Sequence, residues 1–230
     1  GSYRWSLDGS KIFFVAAEPR PEDEEKARKD GDDAIFVDEG PNGQRDGTWT
    51  NLWSLDVGSK EETRLTEEDH RIASFSVSPN GDQVVFTART ENRRNQQNQA
   101  EIHLLDVTSG ETRQMTDNEA PEGRLTWAPD GRRFVYEAPS DDQWELRLDK
   151  LWIMDAESGD RRMISEAFDG NIGSFSWTPD GSAILFSGLQ GTDNNLFRLN
   201  VGNGSVDQVT QAAGSLSPSS FSRDHSRMAY

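Results

Sequence analysis

Trp177-Thr178-Pro179-Asp180-Gly181 decides the fold, because its register recurs along the chain. It returns at Trp5-Ser6-Leu7-Asp8-Gly9, Val77-Ser78-Pro79-Asn80-Gly81, Trp127-Ala128-Pro129-Asp130-Gly131 and, in decayed form, Phe221-Ser222-Arg223-Asp224-His225. Five residues beyond each closing position stands an aromatic: Phe14, Phe86, Tyr136, Phe186 and Tyr230. Repetition at a fixed period is read before any local propensity, since it sets the architecture.

Pro-Asp-Gly is turn chemistry. Proline pre-sets φ, Asp or Asn binds nearby backbone, and Gly accepts positive φ without steric cost. Ser74-Phe75-Ser76-Val77 alternates polar and apolar, as a half-buried strand does. Gln83-Val84-Val85-Phe86-Thr87 is apolar for longer, as a strand covered on both faces would be. The two flank a short glycine-containing loop and predict a β-hairpin. A second pair follows in every unit. Leu52-Trp53-Ser54-Leu55-Asp56, Ile102-His103-Leu104-Leu105-Asp106, Leu151-Trp152-Ile153-Met154-Asp155 and Leu196-Phe197-Arg198-Leu199-Asn200 align, each followed by a small turn and a polar strand ending in a hydroxyl: Thr66, Thr116, Ser165 or Thr210.

Four antiparallel strands per unit are the signature of a β-propeller blade. The expectation is an all-β fold in one domain. Its blades cover about 3–66, 72–116, 122–165 and 171–210, with a partial fifth at 216–230. Both ends fall inside the repeat, and Gly1-Ser2-Tyr3-Arg4-Trp5 aligns with Gly173-Ser174-Phe175-Ser176-Trp177. That predicts an incomplete ring, an arc of blades.

The formal charge is −17, and Arg outnumbers Lys about fourfold. Such a surface repels nucleic acid and anionic membrane, so neither is expected as a partner. It is either a solubilising surface or one adapted to high salt, where screening removes self-repulsion. The absence of cysteine excludes disulfides and thiolate metal sites. No apolar run approaches the ~18 residues of a membrane span. A soluble chain is expected, with a cytoplasmic or periplasmic location left open.

The units differ in one place. Gly9 to Asp56 is 47 residues, whereas Gly81 to Asp106, Gly131 to Asp155 and Gly181 to Asn200 are 25, 24 and 19. The excess in the first unit is an insertion at 18–48. Glu22-Asp23-Glu24-Glu25-Lys26-Ala27-Arg28-Lys29 carries acids before bases and suits a short helix. Asp33-Ala34-Ile35-Phe36-Val37-Asp38 reads as an extra strand, and Gly40–Gly47 as loop. Shorter excursions occupy Thr90–Gln99, Pro139–Asp149 and Gly188–Asn195. All lie between second and third strands. They should therefore leave each blade at the end opposite the Pro-Asp-Gly turns, where function concentrates on a rigid scaffold.

Chemistry is sparse. No serine has glycine two residues before and after it, so no nucleophile elbow exists. His70, His103 and His225 have no metal-ligand spacing and read as structural. Asp30, Asp32, Asp33 and Glu39 lack the ligand order of a calcium loop. The recurring Asp8, Asn80, Asp130, Asp180 and Asp224 read as turn formers, since a catalytic residue need occur only once. Trp5, Trp127 and Trp177 share a repeat slot and read as blade packing. No catalytic, cofactor or metal residue is therefore nominated. Trp49 and Trp144 break the repeat, lie in or beside loops, and are the candidate interaction surface.

The pattern [Trp/Phe]-Ser-Pro-Asp-Gly, followed by Leu-[apolar]-x-x-Asp and a hydroxyl-terminated fourth strand, resembles two related groups. One is the TolB-like propellers. The other is the N-terminal propeller of prolyl oligopeptidase family serine peptidases, of the acylaminoacyl-peptidase and dipeptidyl-peptidase-like branch. The charged excursion from Glu24 to Glu39, leading to Leu52-Trp53-Ser54-Leu55-Asp56, is similar to one in a middle blade of that branch. The resemblance covers essentially the whole chain. It implies that a C-terminal α/β-hydrolase domain in the parent carries the Ser-Asp-His triad, while the propeller caps the active site and admits short peptides. None of those triad positions has a counterpart here. Relatives that hold a substrate's amino terminus use propeller glutamates, but no motif here singles one out. The expected role is a non-catalytic segment of a peptidase acting on short or N-terminally blocked peptides, serving as substrate gate and interdomain platform. The alternatives are a TolB-like binding propeller and, as a third reading, a propeller lyase or glycosidase.

Overall fold

The computed structural model describes residues 2–17, 22–31, 49–67, 69–91, 96, 98–141, 143–215, 220–222 and 227–229. The chain forms two compact units, Gly1–Pro121 and Glu122–Tyr230. Each is built from antiparallel four-stranded meanders. The first unit holds β1 (Tyr3–Trp5), β2 (Lys11–Ala17), β3 (Thr50–Asp56) and β4 (Glu62–Arg64) in one sheet, then β5 (Arg71–Val77), β6 (Gln83–Arg89), β7 (Glu101–Asp106) and β8 (Thr112–Gln114) in the next. The second unit repeats the plan. One sheet is β9 (Leu125–Trp127), β10 (Arg133–Pro139), β11 (Asp149–Asp155) and β12 (Arg161–Met163). The next is β13 (Asn171–Trp177), β14 (Ala183–Gln190), β15 (Asp193–Asn200) and β16 (Val206–Gln208). A last pair, β17 (Ser220–Phe221) and β18 (Met228–Ala229), begins a fifth sheet. The expected all-β class and its blade repeat are both observed.

The helix read from the charge order is present as α1 (Glu22–Lys29). The extra strand at Asp33–Asp38, the loop at Gly40–Gly47, and residues Asp32, Glu39 and His225 lie outside the described residues, as does much of 216–230.

Each turn closes on itself. In Thr178–Gly181, the Gly181 N–H donates to the Thr178 carbonyl at 2.9 Å, and Thr178 N–H donates to Ala183 at 2.9 Å. Gly181 sits at φ 66°, a conformation L side chains rarely adopt. Asp180 Oδ1 accepts the Thr178 hydroxyl at 2.6 Å, the Ser182 N–H at 3.1 Å and the Ser182 hydroxyl at 2.9 Å. These donors, the Thr178 hydroxyl first, hold its carboxyl down at about 2. Asp8 repeats the arrangement with the Ser6 hydroxyl, then Ser10, and is also held at about 2. Asp8 and Asp180 are thus turn acceptors, as is Asp130, which accepts the Arg132 N–H at 2.9 Å, while Asp224 lies outside the described residues.

The hydroxyl that ends every fourth strand has an equally local cause. The fourth strands are three residues long, so each third strand outruns its neighbour and leaves a buried N–H. The hydroxyl accepts it: Thr66 from Leu52 at 3.0 Å, Thr116 from Ile102 at 2.8 Å, Ser165 from Leu151 at 2.8 Å and Thr210 from Leu196 at 2.9 Å. Buried backbone donors must find such an acceptor.

Packing joins successive blades inside each unit. In the first, Phe13 and Leu52 meet Ile72, Phe75, Val84, Phe86 and Leu105. In the second, Val135, Leu151, Ile153 and Ile164 meet Phe168, Trp177, Ile184, Phe186 and Phe197. Each such side chain contributes about 1.5–3 kcal/mol when fully buried. Trp177 also donates its indole N–H to Thr126 of the preceding blade at 3.2 Å. Trp127 and Trp177 are 6% and 7% exposed, while Trp5 on β1 is 54% exposed. One repeat slot therefore has two fates: Trp177 is covered by the preceding blade, and Trp5 is open.

Ser165→Ala strands the buried Leu151 N–H and is expected to cost about 1–3 kcal/mol in urea unfolding. Ser165→Thr, the residue found in the other three blades, should be near neutral, and equal losses in both variants would contradict the capping role. Carboxyl ¹³C NMR is expected to give titration midpoints of about 2 for Asp8 and Asp180. Because the folded value lies below the ordinary 3.8, the turn's contribution is fully present above about pH 4 and is lost as pH falls toward 2. Midpoints near 3.8 would remove the hydroxyl-and-amide cradle from the account.

Candidate functional site

The register fixes where the excursions emerge. Lys11 pairs with Asp56 and Ala17 with Thr50, so the Gly9 turn and the turn after Asp56 share one end of the first blade, and the long excursion leaves at the other. The third blade has the same plan. Arg133 pairs with Asp155 and Pro139 with Asp149, which places 140–148 at the excursion end.

That excursion braces itself. Asp141 accepts the Gln143 N–H at 3.0 Å and the Arg147 guanidinium at 2.7 Å, and Arg147 also reaches the Gln143 side chain at 3.3 Å. The Arg147 hydrogen bond is the first cause that lowers the Asp141 carboxyl. Trp144–Leu146 forms one 3₁₀ turn inside this bracket. Trp144 is half-buried, Leu146 is 80% exposed and Leu148 is 39% exposed. Trp152 ties the root by donating its indole N–H to Pro139 at 3.2 Å.

Three charged side chains lie at this root. Arg124 grips Glu137 with two bonds, at 3.1 Å and 2.9 Å. The same guanidinium donates to Gly173 of the next blade at 2.9 Å and sits 5.4 Å from the Phe175 ring. The Glu137 side chain is 12% exposed. Asp149 reaches solvent, yet partial desolvation pushes its carboxyl up. The Glu137 charge adds to the rise and Arg124 opposes it. Two carboxylates thus face one guanidinium. The cluster can accept hydrogen bonds from an ammonium or amide group next to an apolar, braced loop.

Of the two tryptophans the sequence singles out, Trp144 is in this site. Trp49 stands half-buried in the other unit, immediately before β3. Arg124, Glu137 and Asp149 were missed. The signal was available for Glu137: its repeat counterparts are Val15, Thr87 and Ser187, so it is an acid in an otherwise neutral strand slot. At the opposite, turn end of the blade, a cavity of about 210 Å³ is lined by Arg133, Ile153, Asp155, Asp160, Arg161 and Arg162. Its guanidiniums are occupied: Arg133 binds Asp130 at 2.7 Å and Arg162 binds the Val201 carbonyl at 2.6 Å. Among the described residues, no group of three or more His, Asp or Glu side chains is placed to hold a metal ion, and no helix is long and apolar enough to cross a membrane.

TolB from Acinetobacter baumannii superposes on 97% of this chain with a TM-score of 0.64, at 18% identity, and the chain spans 46% of it. The sheets are propeller blades. An acylaminoacyl peptidase from Pyrococcus horikoshii matches 92% of the chain with a TM-score of 0.61 at 16% identity, and the chain spans 32% of it. An oligogalacturonate lyase in complex with manganese matches 92% of the chain with a TM-score of 0.66 at 16% identity, and 53% of its own length is covered. In sequence, dipeptidyl-peptidase 5 of Porphyromonas gingivalis is 30% identical over 70 residues, which are 30% of this chain and 10% of that protein. No family profile matches. The likeness thus reaches both TolB-like propellers and the propellers of peptidases, and the chain spans 30–62% of TolB proteins, the lyase and the peptidases alike.

Asp149→Asn is expected to raise the urea midpoint at pH 7. A carboxyl whose folded pKa is raised favours the fold below its unfolded pKa, and that benefit is lost as pH rises through the folded value. The gain should therefore vanish under acid conditions where Asp149 is already protonated. A loss at pH 7 would show the carboxylate to be a structural acceptor.

Proposed function

We propose that this chain is a non-catalytic propeller segment of a serine peptidase acting on short or N-terminally blocked peptides, and that it serves as substrate gate and as platform for an α/β-hydrolase domain. The observation that carries the reading is the stretch of 70 residues at 30% identity to dipeptidyl-peptidase 5. The missing nucleophile elbow supports a non-catalytic role for the segment itself. The excursion end of the third blade, which carries Trp144 in its loop and Glu137 and Asp149 on the flanking strands, is where a passing peptide would be met. Its carboxylates suit a cationic or amide N–H group and its tryptophan suits an apolar side chain. The charge of −17 further suits a surface that works at high salt.

A second reading, a TolB-like propeller that recruits a protein through the same end, is supported by the superposition covering 97% of the chain. The coding sequence downstream separates the two. A hydrolase domain bearing G-x-S-x-G within about 300 residues is expected on the first reading. A stop codon soon after the last blade rules it out. The isolated chain should turn over neither aminoacyl nor glycosyl chromogenic substrates, and turnover of either would refute the non-catalytic assignment.

A further inference from the structure

The first blade leaves open an apolar face that its counterpart in the second unit buries. Register fixes the correspondence. Tyr3 pairs with Phe14 and Trp5 with Ile12, as Phe175 pairs with Phe186 and Trp177 with Ile184. One strand further, Phe14 pairs with Trp53 and Ile12 with Leu55, as Phe186 pairs with Phe197 and Ile184 with Leu199. Trp177, Ile184, Phe186, Phe197 and Leu199 are all buried. In the first blade Tyr3 is 62% exposed and Trp5 54%, and Ile12, Phe14, Trp53 and Leu55 are only half-buried. A repeat that caps an array presents a polar outer face. The first blade presents these six side chains instead.

The covered copy shows what such a face takes. The preceding blade lays Val135, Leu151 and Ile153 against it. Two polar contacts complete the cover. The Thr126 carbonyl on β9 accepts the Trp177 indole N–H at 3.2 Å, and Arg133 at the start of β10 holds its guanidinium 5.9 Å from the Trp177 ring. The first unit repeats the cationic contact, with Arg4 of β1 lying 5.8 Å from the Phe75 ring on β5. An aromatic face attracts a guanidinium, more strongly where water is excluded.

The other end of the chain carries the matching groups. Phe221 pairs with Met228 as Trp127 pairs with Phe134, so β17 and β18 repeat the register of β9 and β10. Ser220 therefore stands in the slot of Thr126, and Arg227 in the slot of Arg133. The remaining blades have Lys11, Gln83 and Ala183 there, so arginine fills this slot only at 133 and 227. Arg227 is exposed, and its backbone closes the turn with Ser222 at 2.9 Å in both directions.

We propose that the open face of the first blade docks a second copy of this chain, head to tail, with the β17–β18 end of one copy on β1 and β2 of the next. Arg227 then lies over the Trp5 ring, and the Ser220 carbonyl accepts the Trp5 indole N–H. The two surfaces differ, so the contact is heterologous and each pair keeps one free head and one free tail. The charge of −17 on each copy opposes the contact at low ionic strength, and salt screens that repulsion.

Sedimentation velocity on the whole chain, over a dilution series at low and high salt, tests this. The mean mass is expected to rise with concentration, and to rise further at high salt. Trp5→Ala and Arg227→Glu should each weaken association about tenfold. Both side chains are exposed, so neither change touches the core. Trp5→Ala keeps an intact tail and Arg227→Glu an intact head, so mixing the two variants should restore one sound contact and yield a heterodimer. Three results would overturn the proposal: a single-copy mass throughout at high salt, association unchanged in either variant, or a mixture no more associated than its components.

Discussion

A four-stranded meander has two apolar faces and cannot hide either alone. That constraint orders the rest of this protein. β6 is buried along nearly its whole length, and the shared clusters of Phe, Leu and Ile belong to pairs of blades. Stability in such an array is a sum of blade terms and nearest-neighbour terms. The tryptophan slot displays the neighbour term directly, since the same residue is covered at Trp177 and open at Trp5.

Local polar groups solve the complementary problem. Turns, strand ends and connectors each leave backbone donors without a ladder partner, and the sequence supplies short acceptors for them: Asp in the first turn, Asp or Asn in the second, Thr or Ser after the fourth strand. None of these groups is available for chemistry without dismantling the blade. Glu137, Asp149 and the loop around Trp144 stand out because they depart from that repeated pattern.

Most of the architecture was legible in the residues, because turn chemistry and strand periodicity act over a few positions and the repeat supplies four or five readings of each. Pro179-Asp180-Gly181 and Thr210 could be assigned without coordinates. The site was only partly legible. Trp144 was found by its break with the repeat. Glu137 was overlooked because attention to what recurs passes over a single acid inside an apolar strand. Asp149 and Arg124 depend on a register and an inter-blade reach that no one-dimensional spacing records. His70 and His103, read as structural, are buried, yet their pairing across a connector is a tertiary fact, visible once His70 and Phe168 are compared as the same slot.

The connector ring of the second unit, Phe168, packs on Phe186 and Phe197 where a Cβ on Gly188 would lie 2.5 Å from it, whereas the first unit sets His70 against Phe86 and His103 with Ala88 in that strand slot, and the exchange has a consequence for engineering. Turns and strand caps here are satisfied within their own blade, so they would travel intact if a blade were duplicated or transplanted. The compatibility code resides elsewhere, in the connector ring and the small residue beneath it. A chimera that joins the connector of one unit to the blade of the other would set a phenylalanine over an alanine, or an imidazole over a void. Recombination of these repeats is therefore permitted only where ring and floor move together.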